Sequence, residues 1–310
     1  MGLFDRFKKK TESPVSTENE TERLENFPES LTARLLFVEK PNLDAEKILN
    51  EVKKYFSNVE IPSKDKGIIF WFPDIQIELL DEKIPAQCLV LIPDENNPDI
   101  KIPDVAFQQN WHWPEANDKA RTCKYELFVT DLMTRTLEYK QRLSLFMNFL
   151  VAVTKATNPD IIYSVWGQKL IKPTDLINIW DKEEKHLLYG ICNVRLYNLT
   201  DVNELLMDTI GLNSLGLPDF QIKFKGYDEN EIANLLWTYA YYIYEQGDII
   251  ENGNTLEGIA SGSQWKCERQ ISLLDHERIV INIQPTNINV AYYPPQSGIL
   301  PGAHYSNRKC

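Results

Sequence analysis

The short stretch Asn110–Glu115 (NWHWPE) places two tryptophans and a histidine beside a carboxylate. Histidine is the residue type that most often acts as a general base, and Glu115 could orient the ring of His112. The two residues lie three apart next to a proline, without a second histidine or a cysteine nearby in the sequence. Large aromatic side chains dominate packing, and the tryptophan N–H finds a partner at a loop surface. We therefore expect Trp111 and Trp113 to anchor a long loop, with His112 exposed at its edge.

Metal, phosphate and serine-nucleophile chemistry each require a residue spacing that this chain lacks. The 4 histidines and 5 cysteines are dispersed, without H-x-x-x-H, H-E-x-x-H or C-x-x-C. The segment 211–218 (GLNSLGLP) lacks the lysine and hydroxyl of a phosphate loop, so Gly211 and Gly216 are expected in tight turns or at a close approach of strands. The segment 258–265 (GIASGSQW) lacks the spacing of a nucleophile elbow. We predict neither a metal, nor a cofactor, nor a catalytic residue.

An aromatic helix near the carboxyl-terminal third offers candidate contacts for a partner. Its apolar residues Leu235, Leu236, Tyr239 and Ile243 are expected in the core. The aromatic run is too broad for one buried stripe, and tyrosine is enriched at interfaces. The candidate partner-binding residues are therefore Tyr241, Tyr244, Trp111, His112, Trp113, Glu115 and Trp166.

Three segments share one pattern, in which a short apolar strand is followed by an amphipathic helix. They are residues 31–56, 123–156 and 220–247, and further strand-like runs lie between them. In the third segment, Asp228 and Glu231 form a capping box for a helix that ends at Gly247. The pattern predicts an α+β fold with mixed or antiparallel sheets and helices on one face. The repeated strand–helix unit suggests ferredoxin-like topology.

The strand and helix segments divide the chain into two coupled lobes, residues 31–183 and 184–284. Residues 1–30 are predicted to be a flexible N-terminal segment and linker, because residues 11–30 are polar and acidic with almost no apolar content. Residues 285–310 are rich in Pro, Gly and Ser and are predicted to be an irregular tail. The start of the chain, with Leu3, Phe4 and Phe7 before three lysines, is either a frayed terminus or a weak membrane-touching turn.

Charge and cysteine usage limit the classes of function. The chain of 310 residues has 45 Asp and Glu against 33 Lys and Arg, which gives a formal net charge of −12. This charge argues against nucleic-acid binding and favours a basic partner. Dispersed cysteines are typical of a reducing compartment, and we find neither a membrane-spanning run nor a signal-peptide core. We expect a cytoplasmic protein without an integral membrane segment.

Four motifs in one order resemble a known family. They are W-x-W-P-x-A at 111–116, IYSVWGQK at 162–169, DTIGLNSLGLPDFQI at 208–222 and GDIIENGNTLEG at 247–258. In this order they resemble the bacterial family named domain of unknown function 4261, over roughly Leu31 to Gln284. That family usually has an Asp-Gly-Asp-Thr-like turn where this chain has Asn252, Gly253, Asn254 and Thr255. The replacements keep the turn geometry but remove two carboxylates. The resemblance implies an architecture and supplies no established reaction.

Three hypotheses for function follow from the sequence. The first is a non-enzymatic binding protein for a basic partner, in concrete form an immunity protein against a toxin delivered between bacteria, for example by type VI secretion. The second is an enzyme with an unrecognised site around Trp111, His112, Glu115 and Trp166. The third is a peripheral membrane adaptor that uses the amphipathic start of the chain.

Overall fold

The computed structural model describes residues 27–64, 67–79, 82–93, 100–182, 186–199, 204–274 and 277–285. These residues form two β-sheets and six α-helices, which confirms the predicted α+β class. The amphipathic start of the chain and most of the predicted tail lie outside the described residues.

The first sheet has seven strands, and all neighbouring pairs are antiparallel. In spatial order they are β2 (Glu60–Ser63), β3 (Ile68–Leu79), β4 (Glu82–Leu91), β5 (Tyr125–Leu132), β1 (Thr32–Phe37), β6 (Ile161–Ser164) and β7 (Lys169–Ile171).

The second sheet has six strands, and only β10 and β13 pair in parallel. Its order is β11 (Thr255–Glu257), β12 (Gln264–Ile271), β13 (Ile279–Gln284), β10 (Asp219–Phe224), β9 (Glu204–Ile210) and β8 (Asn193–Leu199). In the first sheet, the neighbouring strands β4, β5, β1 and β6 have the order and the antiparallel directions of a ferredoxin-like unit, and β2, β3 and β7 extend it. The strand order of the second sheet differs from that of such a unit.

The six helices are α1 (Ala45–Val52), α2 (Asp104–Gln108), α3 (Ala116–Thr122), α4 (Tyr139–Thr157), α5 (Pro173–Trp180) and α6 (Glu229–Gln246). The carboxylate of Asp228 accepts hydrogen bonds from the backbone N–H groups of Asn230 and Glu231 at the start of α6. The helix ends at Gly247, as the sequence predicts. Helix α4 is apolar almost all round, and its buried residues extend over most of its length. Such a helix must be enclosed on every side.

One hydrophobic core passes through both lobes. It includes Phe70 of the first sheet, Phe149 of α4, and Phe220 and Tyr239 of the second sheet and α6. The ring centroids of Phe70 and Phe149 are 5.1 Å apart, and those of Phe220 and Tyr239 are 5.6 Å apart. The two sheets lie on either side of the predicted boundary near residue 183, but they share this core.

Helices cover both faces of the first sheet, which corrects the expectation that they lie on one face. Along β1, Leu35 belongs to the main core and Leu36 to a second, smaller cluster. Successive strand residues point to opposite faces, so the smaller cluster lies on the other side of the sheet. There Leu36 and Tyr163 pack with Ala116 of α3. The physical reason is that β1, β6 and β7 are apolar on both faces.

Residues 28–30, predicted to belong to a flexible segment, are held against the body. The Arg142 side chain donates a hydrogen bond of 2.9 Å to the carbonyl oxygen of Glu29. The indole N–H of Trp166 donates one of 2.9 Å to the carbonyl oxygen of Ser30. Since both donors come from the folded core, the ordered chain begins before the predicted boundary at residue 31.

Candidate functional site

The segment Gln109–Trp113 lies across the neighbouring edges of the two sheets. The Gln109 amide donates to the carbonyl oxygen of Leu196 and accepts from the N–H of Leu196, both at 2.9 Å. Leu196 lies on β8, the edge strand of the second sheet. On the other side, Nε2 of His112 is 2.9 Å from the carbonyl oxygen of Leu170 on β7, the edge strand of the first sheet. Side chains therefore cover two edges that would otherwise offer unpaired backbone groups.

The two tryptophans of this segment have different surroundings. Trp113 is half-buried against the smaller apolar cluster, and its carbonyl oxygen accepts a hydrogen bond of 2.6 Å from the Asn110 amide. Trp111 is 45% exposed, and its indole N–H donates to Oε1 of Gln109 at 3.2 Å. Trp113 thus anchors the loop by packing, while Trp111 presents a large aromatic surface to solvent.

The hydrogen bond of His112 fixes its tautomer. Because a carbonyl oxygen only accepts, Nε2 of the ring must carry the proton. Part of the ring faces solvent, but its Nε2 edge points into the protein. Burial, aided by the positive charge of Lys169, lowers the pKa of His112 to about 3, and the hydrogen bond to Leu170 opposes this shift. A group with so low a pKa is a poor general base near neutral pH.

Glu115 does not form the acid–base pair that the sequence suggested. It is exposed at the start of α3, where its side chain makes no capping hydrogen bond. In the described part of the chain, we find no hydrogen bond between Glu115 and His112. The site of the enzyme hypothesis is therefore not assembled by these two residues.

Trp166 and the aromatic residues of α6 pack against the main core. Trp166 is half-buried against the main core. Tyr241 is half-buried, with its ring centroid 6.2 Å from that of Trp237 and 6.5 Å from that of His186.

Tyr244 requires a correction, because it is only 3% exposed. Its backbone oxygen accepts a hydrogen bond of 2.6 Å from the Tyr139 hydroxyl, and the two rings pack edge to face. A side chain so deeply buried offers a partner almost no surface. The predicted role of Tyr244 in binding is therefore withdrawn, because α4 packs against this end of α6.

Lys169 is a buried cation that the sequence reasoning missed. It is 5% exposed, and its ammonium lies 3.9 Å from the centre of the Tyr189 ring. Burial lowers its pKa to about 8. Such lysines occur at covalent catalytic sites, but the same environment also arises in a closed core. A single lysine within an apolar strand carries no periodic signal that would have identified it.

Four buried charged residues form an ionic network in the second sheet. Arg195 binds Asp208 through two hydrogen bonds of 3.0 and 2.5 Å. Arg278 bridges Asp208 at 2.6 Å and Asp219 at 3.1 Å. Arg195 also donates to the side chain of Gln168 at 2.7 Å, in the turn before β7. The network is balanced, with two cations and two anions, and it joins the second sheet to the first.

All of the predicted turn residues except Thr255 occupy turns. Gly211 has a φ of 119°, and a Cβ there would collide with the carbonyl oxygen of Ile191. Gly216 ends a 3-10 helix, Leu212–Leu215, at a φ of 72°. In the turn formed by Asn252, Gly253 and Asn254, the Gly253 N–H donates to the carbonyl oxygen of Cys267 at 2.9 Å. Thr255, also predicted in this turn, is instead the first residue of β11, where it pairs with Lys266. The side chain of Asn252 accepts from the N–H of Arg269 at 2.6 Å, so this turn is bonded to β12.

Two open clefts on the described surface lie elsewhere. One of about 540 Å³ is bordered by Lys101, Asp104, Phe107 and Arg121, and one of about 360 Å³ by Phe224 and Tyr227. Neither is lined by His112 or Lys169. Within the described ranges, no three His, Cys, Asp or Glu side chains are placed to hold a metal ion. Nor does any helix in those ranges have the length and apolar character to cross a membrane.

Comparison with known proteins supports the resemblance in the second sheet. Residues 208–284 match the model of the family described as Domain of unknown function (DUF4261). This match confirms the predicted resemblance over the segment from β9 to β13, which carries Asp208, Asp219 and Arg278. Neither the curated proteins nor the solved structures gave a significant match to the chain.

Proposed function

We propose that this protein is a non-enzymatic, cytoplasmic binding protein that captures a basic protein partner. Its most concrete form is an immunity protein that neutralises a toxin delivered between bacteria, for example by type VI secretion. The observation that carries the proposal is the net charge of −12. An electrostatic field of this sign accelerates encounter with a basic partner and repels nucleic acid.

The placement of cations increases this asymmetry at the surface. Arg142, Lys169, Arg195 and Arg278 are each 5% exposed or less. Three buried aspartates, Asp131, Asp208 and Asp219, offset three of these charges. Among the described residues, four cations and three anions are buried, so their burial does not make the surface less acidic.

The histidine and the carboxylate of the enzyme hypothesis do not act as a pair. His112 covers the edge of β7 and has a pKa of about 3, and Glu115 stands apart from it at the surface. Trp111 remains exposed beside them. An exposed tryptophan on a segment that is hydrogen-bonded to both sheets fits contact with a protein surface better than acid–base chemistry, because tryptophan is enriched among residues that dominate binding energy.

The proposal is tested by co-expression with the protein encoded immediately upstream in the native host. We expect that protein alone to arrest growth and the pair to restore it. The wild type is compared with a variant in which several exposed acidic residues, such as Glu251 and Glu277, are changed to glutamine. Weaker rescue of growth by this variant than by the wild type supports electrostatic capture. An upstream protein that is harmless or acidic would contradict the immunity form of the proposal.

A further inference from the structure

Four exposed apolar side chains lie around one end of the second sheet. Ile249, Ile271, Leu273 and Ile279 are 48, 49, 53 and 37% exposed, and we call them the hairpin-end patch. Ile271 and Ile279 are paired directly across β12 and β13. Residues opposite each other in an antiparallel pair have Cβ atoms about 4.5–5.5 Å apart, so these two form one continuous apolar surface. Leu273 follows two residues after Ile271 on the same hairpin.

The patch is uncovered because α6 ends before it. Pairs Cys267 with Ile283 and Arg269 with Ile281 lie on the same face of the hairpin as Ile271 with Ile279. The first pair is buried in the main core. At the second pair, Arg269 is held by Asp248, just beyond the end of α6, with contacts of 2.6 and 2.9 Å.

The chain after α6 turns one isoleucine outward and the next one inward. Ile250 is 3% exposed, whereas Ile249 is 48% exposed. Because Asp248 is bound to Arg269 on β12, Ile249 is held close to the hairpin. The described chain therefore leaves the last pair of this face, Ile271 with Ile279, open to solvent.

Two described arginines next to the patch are paired with aspartates, and exposed acidic residues lie on the adjoining segments. Arg278 is directed inward to Asp208 and Asp219 and is 5% exposed. Arg269 is paired with Asp248. The exposed charges that remain on the adjoining segments include Glu251 and Glu277.

We propose that the hairpin-end patch is the surface on which the basic partner docks. An apolar side chain of the partner packs on Ile271 and Ile279, and its lysines or arginines face Glu251 and Glu277. Apolar contact supplies the affinity, and these acidic residues select a basic partner. A second copy of this chain would bring two sets of these acidic residues together, which is unfavourable. This inference rests on the proposed function.

Photo-crosslinking in the native host tests the docking surface. The probe is p-benzoylphenylalanine, placed at Leu273 in the full chain, and the control carries it at Ile92, which is 50% exposed. We expect an adduct with one basic protein at position 273 and not at 92. That protein, once purified, should bind the double variant Ile271→Ser with Leu273→Ser at least tenfold more weakly than the wild type. The double variant Ile92→Ser with Met133→Ser should bind within twofold of it.

The outcomes separate the docking surface from the proposed function. If a basic protein is crosslinked at position 92, or is bound equally by both double variants, the patch is not the docking surface, and the proposed function still holds. An adduct at position 273 with an acidic protein, or with a second copy of this chain, would also show that the patch does not bind a basic partner. If neither position gives an adduct and gel filtration finds no complex, both proposals fail. Thermal melting checks that both double variants are folded. We expect both to fold, because all four substituted side chains are about half exposed.

Discussion

At His112, the hydrogen bond that covers the edge of β7 also determines how the ring titrates. Nε2 donates to Leu170 in the neutral ring, and a protonated ring would keep that bond. The cost of protonation therefore comes from burial and from the positive charge of Lys169, which together lower the pKa to about 3. This residue was predicted to lie at a loop edge, but its partner on β7 is 58 residues away and leaves no local pattern.

The low pKa of His112 predicts a pH dependence of stability. The folded pKa of about 3 lies below the ordinary value of 6.5, so the unfolded chain binds the proton first as pH falls. The free energy of unfolding should therefore decrease below pH 6.5, relative to a variant that cannot titrate there. Urea unfolding of the wild type and of His112→Gln at pH 7 and pH 5 measures this. An equal difference between the two proteins at both pH values would contradict the account.

Lys169 predicts a change of the same sign in alkali. Its folded pKa of about 8 lies below the ordinary 10.5, so the free energy of unfolding should rise between those pH values, where only the unfolded chain keeps the proton. The variant Lys169→Met should lack this rise and be as stable as the wild type at pH 7, or more stable by about 1–2 kcal/mol. NMR titration should show a higher pKa for His112 in the variant. A large loss of stability at pH 7 would show that the ammonium is needed in the core.

At the scale of elements, Gln109 replaces a neighbouring strand at the edge of β8. Its amide satisfies both backbone groups of Leu196, and Gln109 is 8% exposed. The change Gln109→Ala should cost about 1–3 kcal/mol, because two buried backbone groups lose their partners. Hydrogen exchange at the Leu196 amide should accelerate, whereas the change Gln284→Ala at an exposed position should leave it unchanged. Unaltered exchange at Leu196 in the Gln109 variant would disprove the edge-covering role.

Two glycines in turns make a matched pair. Gly211 and Gly253 both have positive φ, 119° and 84°. Only at Gly211 would a Cβ meet the Ile191 backbone; at Gly253 it would meet open space. Alanine at Gly253 should cost about 1 kcal/mol for the backbone conformation alone. At Gly211 the cost should exceed about 3 kcal/mol, because rigid backbone must move. Equal losses in thermal melts would show that the approach to Ile191 is not tight.

Elements with local signals were predictable, and contacts between distant elements were not. The start and end of α6 follow from Asp228 and Gly247, whose effects are local. Helices α2 and α3 were not expected on a second face of the first sheet, because this depends on which strands are apolar on both sides. The network of Asp208 with Arg195 and Arg278 joins residues up to 70 positions apart. No spacing in the sequence identifies such pairs.

At the scale of the whole molecule, the charge predicts how association responds to salt. Attraction between an acidic protein and a basic partner is screened within about 10 Å at 0.1 M salt and within about 3 Å at 1 M. The association rate constant should therefore fall at least about tenfold between 0.05 and 0.5 M salt, and the dissociation rate constant should change less. Stopped-flow measurements give both constants. An association rate independent of salt would show that the net charge does not steer binding.

The most direct test of capture is gel filtration with light scattering on a mixture of this protein and the purified upstream-encoded protein. Capture predicts one peak, with the mass of a one-to-one complex, that persists on dilution and dissociates in high salt. Separate elution of the two proteins at low salt would contradict the central claim that this protein is a binding partner of that neighbour.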